Sequence, residues 1–517
     1  MICVFFKFGR VWSCRNLDLI LLVLLAPGLL CVHLVEEADW RDELDRQRRA
    51  VQQAQVGQVV SGSAVARAVE SSPIAVPDRG PNEVGDETVR VATRGTNAAR
   101  REPQDDLNAE AKLAGSNMLT VSVSECEDVI PVERRAAIRF FGFVWLLSVA
   151  GLWLIRLLLD PTMVRRPLLE PNLLMGGLLF MGGSLFVFLM ANVITSRPTE
   201  DDLAGPRGAD NLLAGVSDTQ QTASFRSQGP GNSLLHLIPN LVTIPSQRNE
   251  AANAVPRETG YVKTAKVMAI MSHMAVVIGV VLIGYWHFGN LTTGIGAATL
   301  YLLLPYTAMM TGRVIHVLPA ALLVWMVLCY RQPLWSGVLA GMAIGVVYYP
   351  IFLLPLWISF YWQRGLMRFL GGILSSLVVV ALALALVSDS VANYGENLQT
   401  MLGIWLPQIE GLKGVWGLNG WDPIYRLPIL AAFVAISFGL AIWPAQKNLG
   451  TLLSCSAAVM VATQFWHGYG GGLYVAWYLP LTLLTIFRPN LEDRVALSVL
   501  GEGWPPRRRR HFTIRAA

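Results

Sequence analysis

Charge is scarce in this chain: of 517 residues only 15% are Asp, Glu, Lys or Arg, while 53% are hydrophobic and the mean hydropathy is +0.45. A water-soluble domain cannot hide that much apolar surface, so a soluble enzyme is excluded and the bilayer must serve as solvent. Cysteine is sparse too. Cys3, Cys14, Cys31, Cys126, Cys329 and Cys455 form no CxxC pair, which argues against both a disulfide framework and a zinc site. No P-loop, GxSxG, HExxH or dinucleotide fingerprint occurs in a plausible context, so chemistry built on nucleotide cofactors or zinc is disfavoured. The formal charge is +5, yet no polar segment carries a basic face interleaved with aromatics, and a nucleic-acid partner is not expected.

What is abundant is long apolar runs. With about 17–25 residues needed per crossing, spans are expected at 19–35, 137–158, 172–195, 265–287, 291–311, 314–330, 367–388, 428–444, 449–466 and 470–487. The stretch 334–361 is too long for one span and is broken at Tyr348-Tyr349-Pro350, which predicts a re-entrant hairpin. The expected fold class is therefore all-α: a polytopic transmembrane helical bundle of about ten spans plus that hairpin. Residues 1–35 form an N-terminal membrane anchor, with no small-residue cleavage site behind the apolar core. Residues 36–135 are polar, and apart from a short helix from Asp39 to about Gln55 they cannot bury enough apolar surface to offset ordering entropy. Residues 136–487 form the bundle, with outer loops 196–264 and 389–427, and 488–517 form a basic cytoplasmic tail. In the first outer loop the run Leu234 to Ile244 has an apolar stripe suited to the membrane surface.

Basic residues orient the bundle. Short loops on one side and the tail hold Arg156, Arg165, Arg166, Arg331, Arg364, Arg368, Lys447, Arg488, Arg494, the Arg507–Arg510 run and Arg515, against Arg313, Lys413 and Arg426 on the other. The richer side is cytoplasmic. The hairpin is needed for this balance, since a single crossing at 334–361 would invert everything after it. Arg46, Arg48, Arg49, Arg134, Arg135 and Arg139 lie on the long outer segment, where charge has little say over translocation.

Four groups could carry chemistry. Glu200-Asp201-Asp202 follows the third span at the mouth of the outer loop. A carboxylate held against a membrane cavity can take a proton from an attacking hydroxyl; alternatively, Thr199 caps a surface helix whose first turn favours acids. Arg313 and His316 stand at a turn on the same outer face. There they could clamp a lipid phosphate or simply snorkel and bond between helices. Trp421, Asp422, Tyr425 and Arg426, with His467 and Tyr469, suit sugar stacking and hydroxyl recognition, although Trp and Tyr at this depth, like Trp405 and Trp416, are also ordinary interface anchors. Tyr348, Tyr349 and Pro350 break a helix at membrane depth, where irregular backbone lines a cavity or is buried in protein.

The run Thr311 to Arg368, TGRVIHVLPAALLVWMVLCYRQPLWSGVLAGMAIGVVYYPIFLLPLWISFYWQRGLMR, resembles the GT-C superfamily of membrane glycosyltransferases, especially the polyprenol-phosphate-mannose-dependent family 87 (alpha-mannosyltransferase-like) type. The likeness rests on a Leu/Ala-rich helix after Gly312, a small-residue helix with Gly337, Gly341 and Gly345, the Tyr349-Pro350 break, and an apolar helix ending at Arg364. It extends over about 172–487 in the order of its parts. The resemblance implies inverting transfer of a mannose-like sugar from a polyprenyl-phosphate donor to an acceptor hydroxyl, at the non-cytoplasmic face of a bacterial-type inner membrane. It implies an acid of the first outer loop as general base, which maps onto Asp201 or Asp202. Arg313, and with it Arg426, would hold phosphate, with no metal and no cofactor beyond the lipid-linked donor. His316, Tyr349, Trp421, Asp422 and His467 would complete the substrate site, and membrane lipids would be the remaining partners. Two rival readings are a lipid or solute transporter or flippase, which would show inverted repeats and ionisable groups at mid-membrane, and a non-catalytic scaffold of an envelope complex recruiting through 36–135.

Overall fold

A computed structural model describes residues 2–6, 13–70, 130–162, 171–214, 228–243, 255–388, 390–402, 412–418, 422–445 and 447–489. Most of the polar segment, the basic tail with Arg507–Arg510, and Trp405 and Trp421 lie outside these residues. The described chain is all-helical, and its β pairing is one isolated bridge between Lys413 and Tyr469.

The chain divides into two compact units, Leu34–Arg135 and a larger one of Met1–His33 with Ala136–Ala517. In the smaller unit the helix is laced by surface ion pairs such as Arg41–Glu37, and buried Arg135 donates to both Asp39 and Asp42.

The helices are α1 Cys14–Glu70, α2 Val132–Leu159, α3 Met175–Thr195, α4 Glu200–Ala214, α5 Pro230–Thr243, α6 Val255–Trp286, α7 Leu291–Leu303, α8 Pro305–Met309, α9 Val314–Leu328, α10 Pro333–Val346, α11 Leu354–Tyr361, α12 Leu366–Val387, α13 Val391–Leu402, α14 Arg426–Ile442, α15 Leu449–Trp466 and α16 Leu479–Phe487. Among the described residues seven helices are long and apolar enough to cross a membrane: Asn16–Glu43, Glu133–Thr162, Met175–Thr195, Thr259–Trp286, Leu366–Ala385, Pro423–Ile442 and Leu449–Trp466. Each coincides with an expected span.

Of the other three expected spans, two are interrupted and one is shortened. Residues 291–311 break at Leu304, held extended ahead of Pro305, because a residue before proline is driven out of the helical region and proline offers no N–H. Residues 314–330 shorten to the fifteen residues of α9. In 470–487 the left-handed glycines Gly470 (φ +88°) and Gly472 (φ +99°) open a turn, a 3-10 segment follows at Val475–Trp477, and α16 has nine residues.

Between α10 and α11 the chain reverses. Val347 is extended, a 3-10 turn covers Tyr349–Leu353, and Tyr361 Oη donates to the carbonyl of Tyr330 at 2.6 Å. The end of α11 is thus back beside the start of α10, the geometry expected of a hairpin that returns to the side it left. Its glycines allow close approach to α12: a methyl on Gly337 would overlap the Phe369 carbonyl, and one on Gly372 the Leu334 carbonyl. With no hydrophobic drive between helices in lipid, such backbone proximity is what gains dispersion contact. Lipid-facing surfaces are apolar, as at Phe180 and Phe188 of α3 and Leu374 of α12. α15, by contrast, is buried on every side.

One end of the bundle is tied by an ion network. Arg156 of α2 donates from Nε and Nη2 to both carboxylate oxygens of Asp18 at 2.7 and 3.0 Å. It also meets Asp160 at 3.0 Å, which in turn accepts from Arg488 at 2.6 Å. Buried carboxylates are tolerated only when paired in this way.

Candidate functional site

At the opposite end, the helix interruptions meet. α8 and the turn after it contribute Tyr306 and Arg313, the break after α10 contributes Tyr348 and Tyr349, and the irregular stretch after α15 contributes His467, Tyr469, Tyr474 and Trp477. Tyr306 Oη is 2.8 Å from His316 Nδ1. The His316 ring stacks on Tyr474 at 4.5 Å, and Tyr474 stacks on Trp477 at 4.4 Å. His467 lies 4.6 Å from Tyr474 and 4.7 Å from Tyr349. Trp477 Nε1 donates to the carbonyl of Ile315 at 3.1 Å, fastening the last break to the start of α9. Buried Gln464 accepts from the backbone N–H groups of Gly472 and Tyr474, so the non-helical backbone there is satisfied internally, as a low-dielectric setting requires.

Arg426 opens α14 and is buried; its Nε and Nη2 donate to the carbonyl of Trp466 at 3.2 and 2.9 Å. This holds the guanidinium next to His467. Nδ1 of His467 accepts from the Tyr469 N–H at 3.1 Å, which fixes a neutral ring. Burial, reinforced by the positive charge of Arg426 and by His316, pushes its pKa down to about 3.

The acidic triplet divides sharply. Asp202 is buried. Its Oδ2 accepts from the N–H and the hydroxyl of Thr199 at 3.2 and 2.6 Å, and its Oδ1 accepts from the Val314 N–H at 3.1 Å. Thr199 precedes the helix and Asp202, three residues on, reaches back to satisfy its N–H, while the Thr199 hydroxyl is spent on Asp202 rather than on a helix N–H. Arg313 donates to the Thr199 hydroxyl at 2.5 Å and lies 3.9 Å from Asp202. Burial raises the Asp202 pKa against the opposing pull of Arg313 and these hydrogen bonds. Asp201 is exposed, and its backbone carbonyl accepts from Gln228. Glu200 is exposed and pairs with Arg207 at 2.7 Å.

The structure thus brings together Asp202 with Arg313, and His316 with His467, Tyr349 and Arg426, in one continuous set of contacts through Val314 and Tyr474. It does not bring Asp422 into that set: this residue is exposed and caps a 3-10 turn by accepting from the Ile424 N–H at 3.0 Å. Trp421 lies outside the described residues. Tyr306, Tyr474 and Trp477 were missed in the sequence, where the signal was the aromatic density between Phe465 and Tyr478 around three left-handed or buried glycines, Gly470, Gly471 and Gly472.

Comparison of the chain with models of known families, with characterised proteins and with solved structures finds no match. Among the described residues there is no group of three or more His, Cys, Asp or Glu side chains arranged to hold a metal ion.

Beside this site α5 lies with its polar residues inward. Asn232 donates to Gln228 at 2.7 Å, His236 Nδ1 meets the Asn232 carbonyl at 2.7 Å, and Asn240 donates to the Pro206 carbonyl at 2.9 Å. Ile238, Leu241 and Val242 face outward, as a helix at a membrane surface requires.

Proposed function

We propose that this chain is a membrane glycosyltransferase that moves a mannose-like sugar from a polyprenyl-phosphate donor to an acceptor hydroxyl at the non-cytoplasmic face of an inner membrane. The observation that carries this reading is the convergence of three helix interruptions on one cluster of aromatic rings, two histidines and two arginines, next to an anchored acidic turn. Irregular backbone within an apolar bundle is tolerated where it is buried in protein or lines a cavity, and here it carries the aromatic and basic side chains of the cluster. Aromatic faces suit sugar rings, and a guanidinium suits a phosphate.

In the proposed reaction the acceptor hydroxyl attacks the anomeric carbon, the bond from that carbon to the phosphate oxygen breaks, and the polyprenyl phosphate leaves with the electron pair. The hydroxyl proton passes to a carboxylate. Asp201 is the better base of the two acids, because the oxygens of Asp202 are engaged by Thr199 and Val314 whereas Asp201 is exposed. Asp202 then positions the first turn of α4 and Arg313. Arg313, half-buried at the rim, holds the donor phosphate, and Arg426 positions the Trp466–His467 turn.

The test is a transfer assay with the purified protein and a panel of polyprenyl-phosphate sugars. Asp201→Asn should fold normally and lose about 10²–10⁴-fold in rate. Transfer at the wild-type rate by this variant overturns the assignment, and no transfer by the wild type from any donor overturns the function.

A further inference from the structure

We infer that the arginine-rich end of the bundle carries a binding site for the phosphate headgroup of an anionic phospholipid, separate from the proposed transfer site. The turn between α9 and α10 and the turn between α11 and α12 lie side by side there, joined by the Tyr361–Tyr330 hydrogen bond. Between them is a cavity of about 630 Å³ whose polar lining is Arg331, Gln332, Gln363, Arg364 and Arg368, with Trp362. Three arginines and two glutamines line one space, and among the described residues no carboxylate lines it. An anion is the complement such a lining calls for.

The three arginines are held differently. Arg331 is 4% exposed, donates from Nε to the Tyr330 hydroxyl at 3.2 Å and lies over that ring at 5.7 Å, so its orientation is fixed by packing. Arg364 and Arg368 are exposed, and among the described residues neither forms an ion pair. Gly365, in the left-handed region at φ +93°, makes the tight turn that lets Arg364 precede α12 and Arg368 follow on its first turn.

A lipid, rather than a free anion, is indicated by the rim. Trp335 and Trp362 are 60% and 69% exposed, and tryptophans of this kind sit at headgroup level. From the cavity, Met367, Leu370 and Leu374 are exposed in succession along α12. That strip offers an acyl chain an apolar path away from the arginines. Phosphate oxygens among guanidinium groups with chains along α12 satisfy both surfaces at once.

The experiment uses the full chain in neutral detergent, titrated with phosphatidylglycerol, phosphatidylcholine or inorganic phosphate and read by native mass spectrometry. Phosphatidylglycerol should bind in preference to phosphatidylcholine. Arg364→Gln with Arg368→Gln should weaken phosphatidylglycerol by about 25-fold, at about fivefold for each charge removed near a headgroup, leave phosphatidylcholine unchanged, and leave the lipid-free unfolding temperature in place. Equal binding of the two lipids by the wild type overturns the proposal without reference to any variant. So does full retention of phosphatidylglycerol by the double variant, and so does displacement of the lipid by millimolar inorganic phosphate, which would mark a site for the free ion.

Discussion

Lowering the pH should destabilise the bundle through His467, and the size of the effect follows from its surroundings. The native ring is neutral, since Nδ1 accepts the Tyr469 N–H and the ring is enclosed by Tyr349, Tyr474 and Trp477 with Arg426 and His316 adding positive repulsion. In the unfolded chain it titrates near its ordinary 6.5, in the folded protein at about 3. The folded pKa is depressed, so the stabilisation is complete above pH 6.5 and is lost as pH falls toward 3. In that window the unfolded state holds a proton that the native state lacks, at about 1.4 kcal/mol per pH unit. Between pH 7 and pH 5 this amounts to about 2 kcal/mol, a large share of a typical stability of about 5–15 kcal/mol. The measurement is thermal unfolding in detergent at pH 7 and pH 5, for the wild type and for His467→Gln, whose amide oxygen can still accept the Tyr469 N–H. His236, buried and likewise depressed to about 4, contributes its own slope, so the informative quantity is the difference between the two proteins. The variant should lose about 2 kcal/mol less than the wild type between the two pH values. An identical pH dependence in both would refute a neutral, enclosed His467.

Asp202→Ala leaves the Val314 and Thr199 N–H groups without their acceptor and should cost about 2–4 kcal/mol in an unfolding titration, whereas Asp201→Asn should stay within about 0.5 kcal/mol of wild type. Gly372→Leu forces a side chain into the Leu334 carbonyl and the Val338 N–H and should lower stability by about 1–3 kcal/mol or more; Gly439→Ala, with nothing within 4 Å of the added methyl, is the matched control and should not. Cysteines introduced at Glu200 and at Gln363, on the two ends joined by α9, should react with a membrane-impermeant maleimide from opposite faces of sealed vesicles, and labelling of both from one face would remove the topology.

Most of the helices were legible because a lipid-soluble helix must be apolar around its whole circumference, and seven runs are long enough to read without knowing their neighbours. The hairpin was legible as well, since Pro350 and an awkward length leave no unbroken crossing. The interruptions at Leu304–Pro305 and Gly470–Tyr478 were less so: apolar side chains continue through both, and hydropathy is blind to whether backbone hydrogen bonds continue with them. Of the candidate residues, Arg313, His316, Tyr349, Arg426 and His467 could be picked out singly as polar or aromatic groups at helix ends. Their mutual contacts were not, because the link between them runs through Val314 and Tyr474, an aliphatic and an aromatic residue unremarkable in a membrane protein.

The acidic triplet shows the same limit at shorter range. Three consecutive carboxylates look equivalent in sequence, yet a helical turn rotates each side chain by about 100° from the last, so only one can point back at Thr199 and across to α9. Asp202 takes that place, and its capture by Val314 is what leaves Asp201 the outward neighbour. The Asp18–Arg156–Asp160–Arg488 network makes the converse point. Arg156 and Arg488 counted only as topological charge in the sequence, because their main partners lie 138 and 328 residues away. Charge near the end of a span says which side of the membrane it occupies; only the fold says what it holds there. At the arginine-rich end the two meanings separate, since Arg156 and Arg488 are consumed by carboxylates while Arg364 and Arg368 line a cavity that has none among the described residues, and it is this difference in surroundings, at the same end and with the same residue type, that singles out the latter pair for an external anion.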